Sequence, residues 1–326
     1  AGVSAAAAAV STKRQKHWEG LLASSLAPML AVCVTNPAEV TKVRLQMYGE
    51  LQRQGKMSGP KPTYLGTLAR TLRTQGIEGL QAGLSIAIVR EGTKNIFRIG
   101  CYDPILAQIH PDEDPKSAPV WKRLVAGATS GTVAAVSCNP VDIVKTRMQG
   151  KGAGARALAG RGNYSSVFEA IRMLPRDEGV RGAYAGAEAS AMRSSINTAV
   201  NLTTYTTVKE FLVSSKLLGA WEETSSVVHL SSALASATAG CAVTHPLDVM
   251  RTRLYMQPKD AQGNGKLYKG LIDCAQQVAR KEGLRGFYKG FQAHFMRIGP
   301  HLVLTFYMLE QFKGGLRQWE PFREWV

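Results

Sequence analysis

No stretch of about 18 uninterrupted apolar residues occurs in this chain of 326 residues, so the usual criterion for a spanning helix is nowhere met cleanly. Mean hydropathy is close to neutral, at −0.10. Cysteine is scarce. The five thiols (Cys33, Cys101, Cys138, Cys241, Cys274) show no C-x-x-C spacing and no partnered histidine cluster in sequence. They read as small buried residues, not as metal ligands or a disulfide framework. There is no Ser/His/Asp or Cys/His arrangement and no glycine loop that would cradle phosphate after a strand, so neither catalysis nor a cofactor is supported. Acids are few: 24 against 40 Lys and Arg, a formal charge of +16. The bases are spread along the chain without a nucleic-acid module, which favours anionic lipid headgroups over nucleic acid as the partner. The first 17 residues contain no acid, are Ala/Ser-rich and then carry Lys13, Arg14 and Lys16. They read as a flexible tail or the remnant of an organelle-import segment, and the missing initiator Met fits a processed start.

What the chain does have is a pattern written three times. It runs Pro37-Ala-Glu39-Val-Thr-Lys42-Val-Arg44, Pro140-Val-Asp142-Ile-Val-Lys145-Thr-Arg147 and Pro246-Leu-Asp248-Val-Met-Arg251-Thr-Arg253. The prolines stand 103 and 106 residues apart. A second marker keeps the same register: Gln75-Gly76, Glu178-Gly179 and Glu282-Gly283 each precede an arginine (Arg90, Arg193, Arg297) by 15 positions. Three copies of a unit of about a hundred residues must pack on one another. The boundaries read as a tail over 1–17, then repeats over 18–112, 113–220 and 221–326, forming one structural domain.

Each unit holds two long segments rich in Ala, Leu, Val, Ser, Thr and Gly. They fall at about Trp18–Met47 and Leu80–Ile109, Val120–Gln149 and Ala185–Val213, and Ser225–Gln257 and Phe291–Arg317. Their polar residues fall on one side, as expected of six helices that line a wet cavity and meet lipid outside. A short amphipathic helix lies between the members of each pair. The first segments carry small residues at four-residue spacing (Gly127/Gly131, Ser236/Gly240), which lets helices approach closely. Proline lacks an N–H and disfavours helix before it, so a kink is expected at each motif. Were the three kinked ends to converge, Glu39, Asp142 and Asp248 could reach Lys42, Lys145 and Arg251 of neighbouring units, closing a ring. Exposed pairs of ~0–1 kcal/mol would suit a ring that must open.

These motifs resemble the mitochondrial carrier family, whose P-x-[DE]-x-x-[KR]-x-[KR] signature covers almost the whole chain in three copies. The resemblance implies an all-α membrane protein: six transmembrane helices in three pseudo-symmetric repeats, three short matrix helices, and alternating access between two salt-bridge networks. It makes Glu39, Lys42, Asp142, Lys145, Asp248 and Arg251 the matrix gate. Gln46 and Gln149 become braces beneath that gate, with Tyr255 standing at the third brace position. The cytosolic network is thin, retaining only Asp103 and Lys209 at their expected places.

The three arginines head stripes at four-residue steps, Arg90/Lys94/Arg98, Arg193/Asn197/Asn201 and Arg297/His301/Thr305. Such steps advance only ~40° around a helix, so each stripe keeps one face. Guanidiniums at one level suit a small anion with two or more charges, because arginine forks onto carboxylates. Glu91 and Glu188 lie off these stripes, which leaves the arginines open for substrate. The family places substrate contacts at Arg90, at Arg193-Ser194 and at Arg297. Arg297-Ile-Gly-Pro-His301 is similar to oxoglutarate carriers, and Thr35-Asn-Pro37 with Arg44-Leu-Gln46-Met is similar to oxaloacetate-type carriers. The expected function is exchange of small dicarboxylates or oxoacids across the mitochondrial inner membrane. A carrier-fold structural subunit of a larger respiratory complex is the alternative. Cardiolipin is the expected lipid partner, at motifs such as Tyr268-Lys-Gly270 and Tyr288-Lys-Gly290, and the protein is expected as a monomer unless it joins such a complex.

Overall fold

The computed structural model describes residues 2–53, 63–111, 117–150, 167–215, 226–260 and 262–318. The loops read around Gly55–Pro62 and Gly150–Gly162 fall almost wholly outside these. The described residues are helical, without strands: α1 (Gly2–Arg53), α2 (Tyr64–Leu80), α3 (Leu84–Ile109), α4 (Val120–Ser137), α5 (Asn139–Gly150), α6 (Val167–Ala183), α7 (Ala187–Ser214), α8 (Ser226–Met256), α9 (Leu271–Glu282), a 3-10 turn (Leu284–Tyr288) and α10 (Phe291–Gln318). The long helices pack in a closed circuit, α1 on α3, α3 on α4, α4 on α7, α7 on α8, α8 on α10 and α10 back on α1. Val227–Met256 within α8 is long and apolar enough to cross a membrane, with a mean hydropathy of 1.4.

The first 17 residues, read as a separate tail, continue α1 from Gly2, and their alanine content favours helix. The proline motifs do not all interrupt their helices. α1 and α8 run through Pro37 and Pro246, whereas the second repeat breaks at Cys138, between α4 and α5. At Pro37 the reason is visible. The ring nitrogen cannot bond the Cys33 carbonyl, and the Gln81 side chain takes that acceptor instead, at 3.0 Å.

The residue before each motif proline clamps the turn leading into the second long helix of its repeat. Asn36 Nδ2 donates to Gln81 Oε1 at 3.1 Å, and Asn139 Nδ2 donates to the Ala183 carbonyl at 3.0 Å. His245 Nε2 lies 3.1 Å from the Lys289 carbonyl. Each turn holds a glycine with positive φ, Gly83 (+71°), Gly186 (+73°) and Gly290 (+80°), seven residues before its arginine. Side chains rarely adopt this backbone, which explains why glycine recurs there. The small-residue stripes meet α7 closely. A Cβ on Gly131 would stand 2.6 Å from Ser194 Oγ, and one on Gly240 would stand 2.5 Å from Asn201 Oδ1.

Candidate substrate site and the ion-pair ring beneath it

The second base of each motif reaches the residue before the marker glycine. Arg147 forks onto Glu178 at 2.7 and 2.9 Å, and Arg253 forks onto Glu282 at 2.6 and 2.8 Å. In the first repeat Arg44 has neutral acceptors, Gln75 Oε1 at 2.9 Å and Thr71 Oγ1 at 2.7 Å. These forks fix the short helices against the long ones. The marker residue, an acid or amide before a glycine, stands 31, 31 and 29 residues after this base in the three repeats. Outside the bundle the Glu282 carboxyl is pulled up by burial, yet the bonds from Arg253 and Lys289 outweigh this and hold its pKa at about 2.

The first acids and bases close a ring between repeats. Lys145 Nζ is 2.8 Å from Glu39 Oε2, Lys42 Nζ is 3.0 Å from Asp248 Oδ2, and Arg251 pairs with Asp142. Each acid therefore meets a base of the next repeat, and the ring residues share the lining of one recess with Gln46, Gln149, Arg90 and Tyr255. The pairs are buried, not exposed as a weakly held ring would require. Breaking a buried pair by removing one partner costs ~3–5 kcal/mol.

The brace positions also differ from the family pattern. Gln46 Oε1 accepts from Thr252 at 2.9 Å and Gln149 Nε2 donates to Asn36 at 3.1 Å, so neither glutamine is bonded to a ring pair. It is Tyr255 that braces. Its hydroxyl accepts from Arg251 Nε at 2.8 Å, donates to Asn139 Oδ1 at 2.6 Å and shares a bond with Ser190 Oγ at 2.7 Å. Its ring centre lies 4.9 Å from the Arg251 guanidinium.

The contact-level arginines are not bare, which corrects the expectation of three open guanidiniums. Arg90 bonds Asp142 Oδ1 at 2.7 Å and also pairs with Glu91, and Arg193 pairs with Asp248. The arginine side chain is long enough to reach a turn toward the ring, and Glu91 follows Arg90 directly. Asp142 and Asp248 therefore each hold two cations, one from the ring and one from the level above. Arg297 differs: it forms no ion pair with a described residue and its Nε is buried without a hydrogen-bond partner, although Glu39 stands near enough to interact electrostatically. Lys94 and Arg98 have no hydrogen-bond or ion-pair partner among the described residues, although Asp142 acts on Lys94 electrostatically. The ring and the arginine level hold six cations against the four carboxylates of Glu39, Asp142, Asp248 and Glu91, and Lys94 and Arg98 add two more farther along α3.

Other candidates sit at seams. Ser194 faces Gly131 of α4, while Asn197 and Asn201 face Gly240 of α8. His301 Nδ1 lies 3.1 Å from Thr35 Oγ1 of α1. Asp103 and Lys209 lie toward the opposite end of α3 and α7, each engaged in an interaction. Of the cysteines, Cys138, Cys241 and Cys274 are buried and Cys33 and Cys101 only half-buried, and Cys241 lies with His245 and His294, their ligand atoms all within 4.8 Å of one another. His294 stands 49 positions beyond His245, so no local spacing announces it.

Three helical repeats packed in a closed circuit and joined by an ion-pair ring, with arginines of the second long helices paired to its acids, define a solute carrier. The chain belongs to the mitochondrial carrier family: the model described as "Mitochondrial carrier protein" matches residues 13–111, 116–216 and 222–318. Members are transporters, not enzymes. The chain is 37% identical to "Mitochondrial substrate carrier family protein ucpA" of Dictyostelium discoideum, over 90% of this chain and 92% of that protein. It is 33% identical to "Mitochondrial oxaloacetate transport protein" of Saccharomyces cerevisiae, over 89% of this chain and 87% of that one. It is equally 33% identical to "Mitochondrial citrate transporter E" of Aspergillus niger, over 92% and 94%.

Proposed function

We propose that this carrier is a multi-pass protein of the mitochondrial inner membrane that exchanges small dicarboxylates or oxoacids of the oxaloacetate, malate and oxoglutarate class by alternating access. The observation that carries this reading is the surplus of cations. Arg297, Lys94 and Arg98 form no ion pair with a described carboxylate, whereas Arg90 and Arg193 pair with acids shared with the ring. A substrate with two carboxylates offers Arg297 and Lys94 the directly bonded carboxylate that neither has among the described residues. The ring of Glu39, Lys42, Asp142, Lys145, Asp248 and Arg251 is the matrix gate in this reading. When Arg251 or Lys42 swings away, Asp142 and Asp248 keep Arg90 and Arg193, which lowers the cost of exposing a buried carboxylate. The relative named for oxaloacetate transport favours this substrate class, and cardiolipin is the expected lipid partner.

Reconstitution in liposomes tests the proposal. Labelled malate, oxaloacetate and oxoglutarate should enter only against an internal counter-substrate. Arg297→Gln and Lys94→Gln should each lower the rate at least tenfold. Absence of uptake for every dicarboxylate, with or without counter-substrate, overturns it, and preference for a tricarboxylate would narrow the error to substrate class. A structural-subunit role loses part of its motive once Tyr255 is seen to brace Arg251.

A further inference from the structure

We propose that Cys241, His245 and His294 form a binding site for a zinc-class divalent metal ion, set between α8 and α10 beside the ring. Where the first two repeats have Asn36 and Asn139 before the motif proline, the third has His245. Its Nε2 faces the Lys289 carbonyl at 3.1 Å. An imidazole that donates there keeps its lone pair on Nδ1, the arrangement by which metal-ligating histidines are usually oriented. That Nδ1 lies 3.2 Å from Nδ1 of His294, and His294 Nδ1 lies 3.3 Å from Asp248 Oδ2. Ligand atoms at about 2.0–2.1 Å from a tetrahedral zinc stand roughly 3.3 Å apart, so both separations fit an edge of its coordination shell. Cys241 is one turn before His245 on the same helix face, and all three residues are buried.

The donor set selects the metal. A thiolate with two imidazoles favours zinc-class ions over calcium or magnesium, which prefer oxygen. Lys42 and Arg193, both held by Asp248, oppose a dication, so binding depends on the charge of the Cys241 thiolate and of the Asp248 carboxylate. Asp248 Oδ2 is the natural fourth ligand. Drawing it toward the ion takes it from Lys42, so occupancy would tie α8 to α10 and loosen one pair of the ring. This inference is independent of the substrate.

The test titrates metal-free, detergent-solubilised full-length protein with Co²⁺. One equivalent should bind with a thiolate-to-cobalt charge-transfer band in the near ultraviolet, and Zn²⁺ should displace it. Cys241→Ser should abolish that band while Cys33→Ser retains it. His245→Asn installs the residue of the other two repeats, which can still donate to the Lys289 carbonyl, and it should weaken Co²⁺ binding at least a hundredfold without loss of helix content. Absence of stoichiometric binding by the unaltered protein overturns the proposal. So does an unchanged cobalt spectrum in either Cys241→Ser or His245→Asn.

Discussion

Removing one oxygen atom from Tyr255 tests whether this side chain braces the ring. In Tyr255→Phe the ring stays in place and still faces the Arg251 guanidinium, at 4.9 Å in the parent protein. What disappears is the acceptor for Arg251 Nε at 2.8 Å, the donor to Asn139 Oδ1 at 2.6 Å and the bond to Ser190 at 2.7 Å. Ser190 can recover by donating to Asn139 Oδ1 or the Gly186 carbonyl, each already 3.3 Å away. Arg251 Nε has no such second choice in this buried setting, although its other nitrogen keeps Asp142. One buried donor left unsatisfied costs about 1–3 kcal/mol. Taking about 2 kcal/mol, the ratio of closed to open ring should fall roughly thirtyfold. A chain of this length loses about 0.7 kcal/mol per degree near its midpoint, so thermal stability should drop by about 3 °C. Exchange in proteoliposomes should change while the substrate range stays fixed, and Tyr255→Gln should recover part of the loss through its amide. A Tyr255→Phe protein within 1 °C of the parent and equal in exchange rate would refute the bracing role.

The arginine forks supply an internal comparison. Glu178→Gln and Glu282→Gln should each destabilise by about 1–3 kcal/mol, since a charged bidentate acceptor becomes a neutral one. Gln75→Glu should stabilise, by at most about 1 kcal/mol, because Gln75 is exposed. Melting curves of the solubilised variants read all three, and a loss of stability in Gln75→Glu contradicts the argument. Because the folded-state pKa of Glu282 is depressed to about 2, its contribution is complete above the unfolded value near 4.5 and fades as pH falls between the two. The stability gap between parent and Glu282→Gln should therefore shrink by about 1–2 kcal/mol across that window, and a gap that widens on acidification would reverse the sign. Gly240→Ala puts a methyl group 2.5 Å from Asn201 Oδ1 and should cost about 1–3 kcal/mol, whereas Gly100→Ala meets nothing within 4 Å and should be neutral or slightly stabilising.

Much of this fold was legible because the repeat supplies three readings of every position. The proline motif, the marker glycines and the arginines align in all copies, so element order followed from spacing alone. Even helix ends came close: Phe291 begins the last helix as read, and Ile109 ends the second helix of the first repeat. Where copies differ, sequence says less. A kink is expected at every motif proline, yet α1 and α8 stay continuous through theirs while the second repeat divides at Cys138. At Pro37 a donor from elsewhere, Gln81, replaces the lost bond, and nothing near residue 37 in sequence announces it.

The site was legible in its residues but not in its pairings. Charge type and helical face put the arginines of all three repeats at one level, and that much follows from periodicity. Whether a guanidinium is free depends on reach across helices, which periodicity does not encode. Arg90 and Asp142 are 52 residues apart, and only tertiary packing brings them to 2.7 Å. The same logic explains why Glu91 was set aside: a carboxylate one position off a stripe still meets its neighbour's long side chain at the helix edge. A threefold sequence therefore predicts which groups share a layer, and the departures from threefold order decide what each layer can bind. Arg297, with no gate acid bonded to it, and His245, standing where the other repeats keep asparagine, are two such departures. Substitution at those two positions should thus alter ligand selectivity more than substitution at Arg90 or Arg193, whose charges are already shared with the ring.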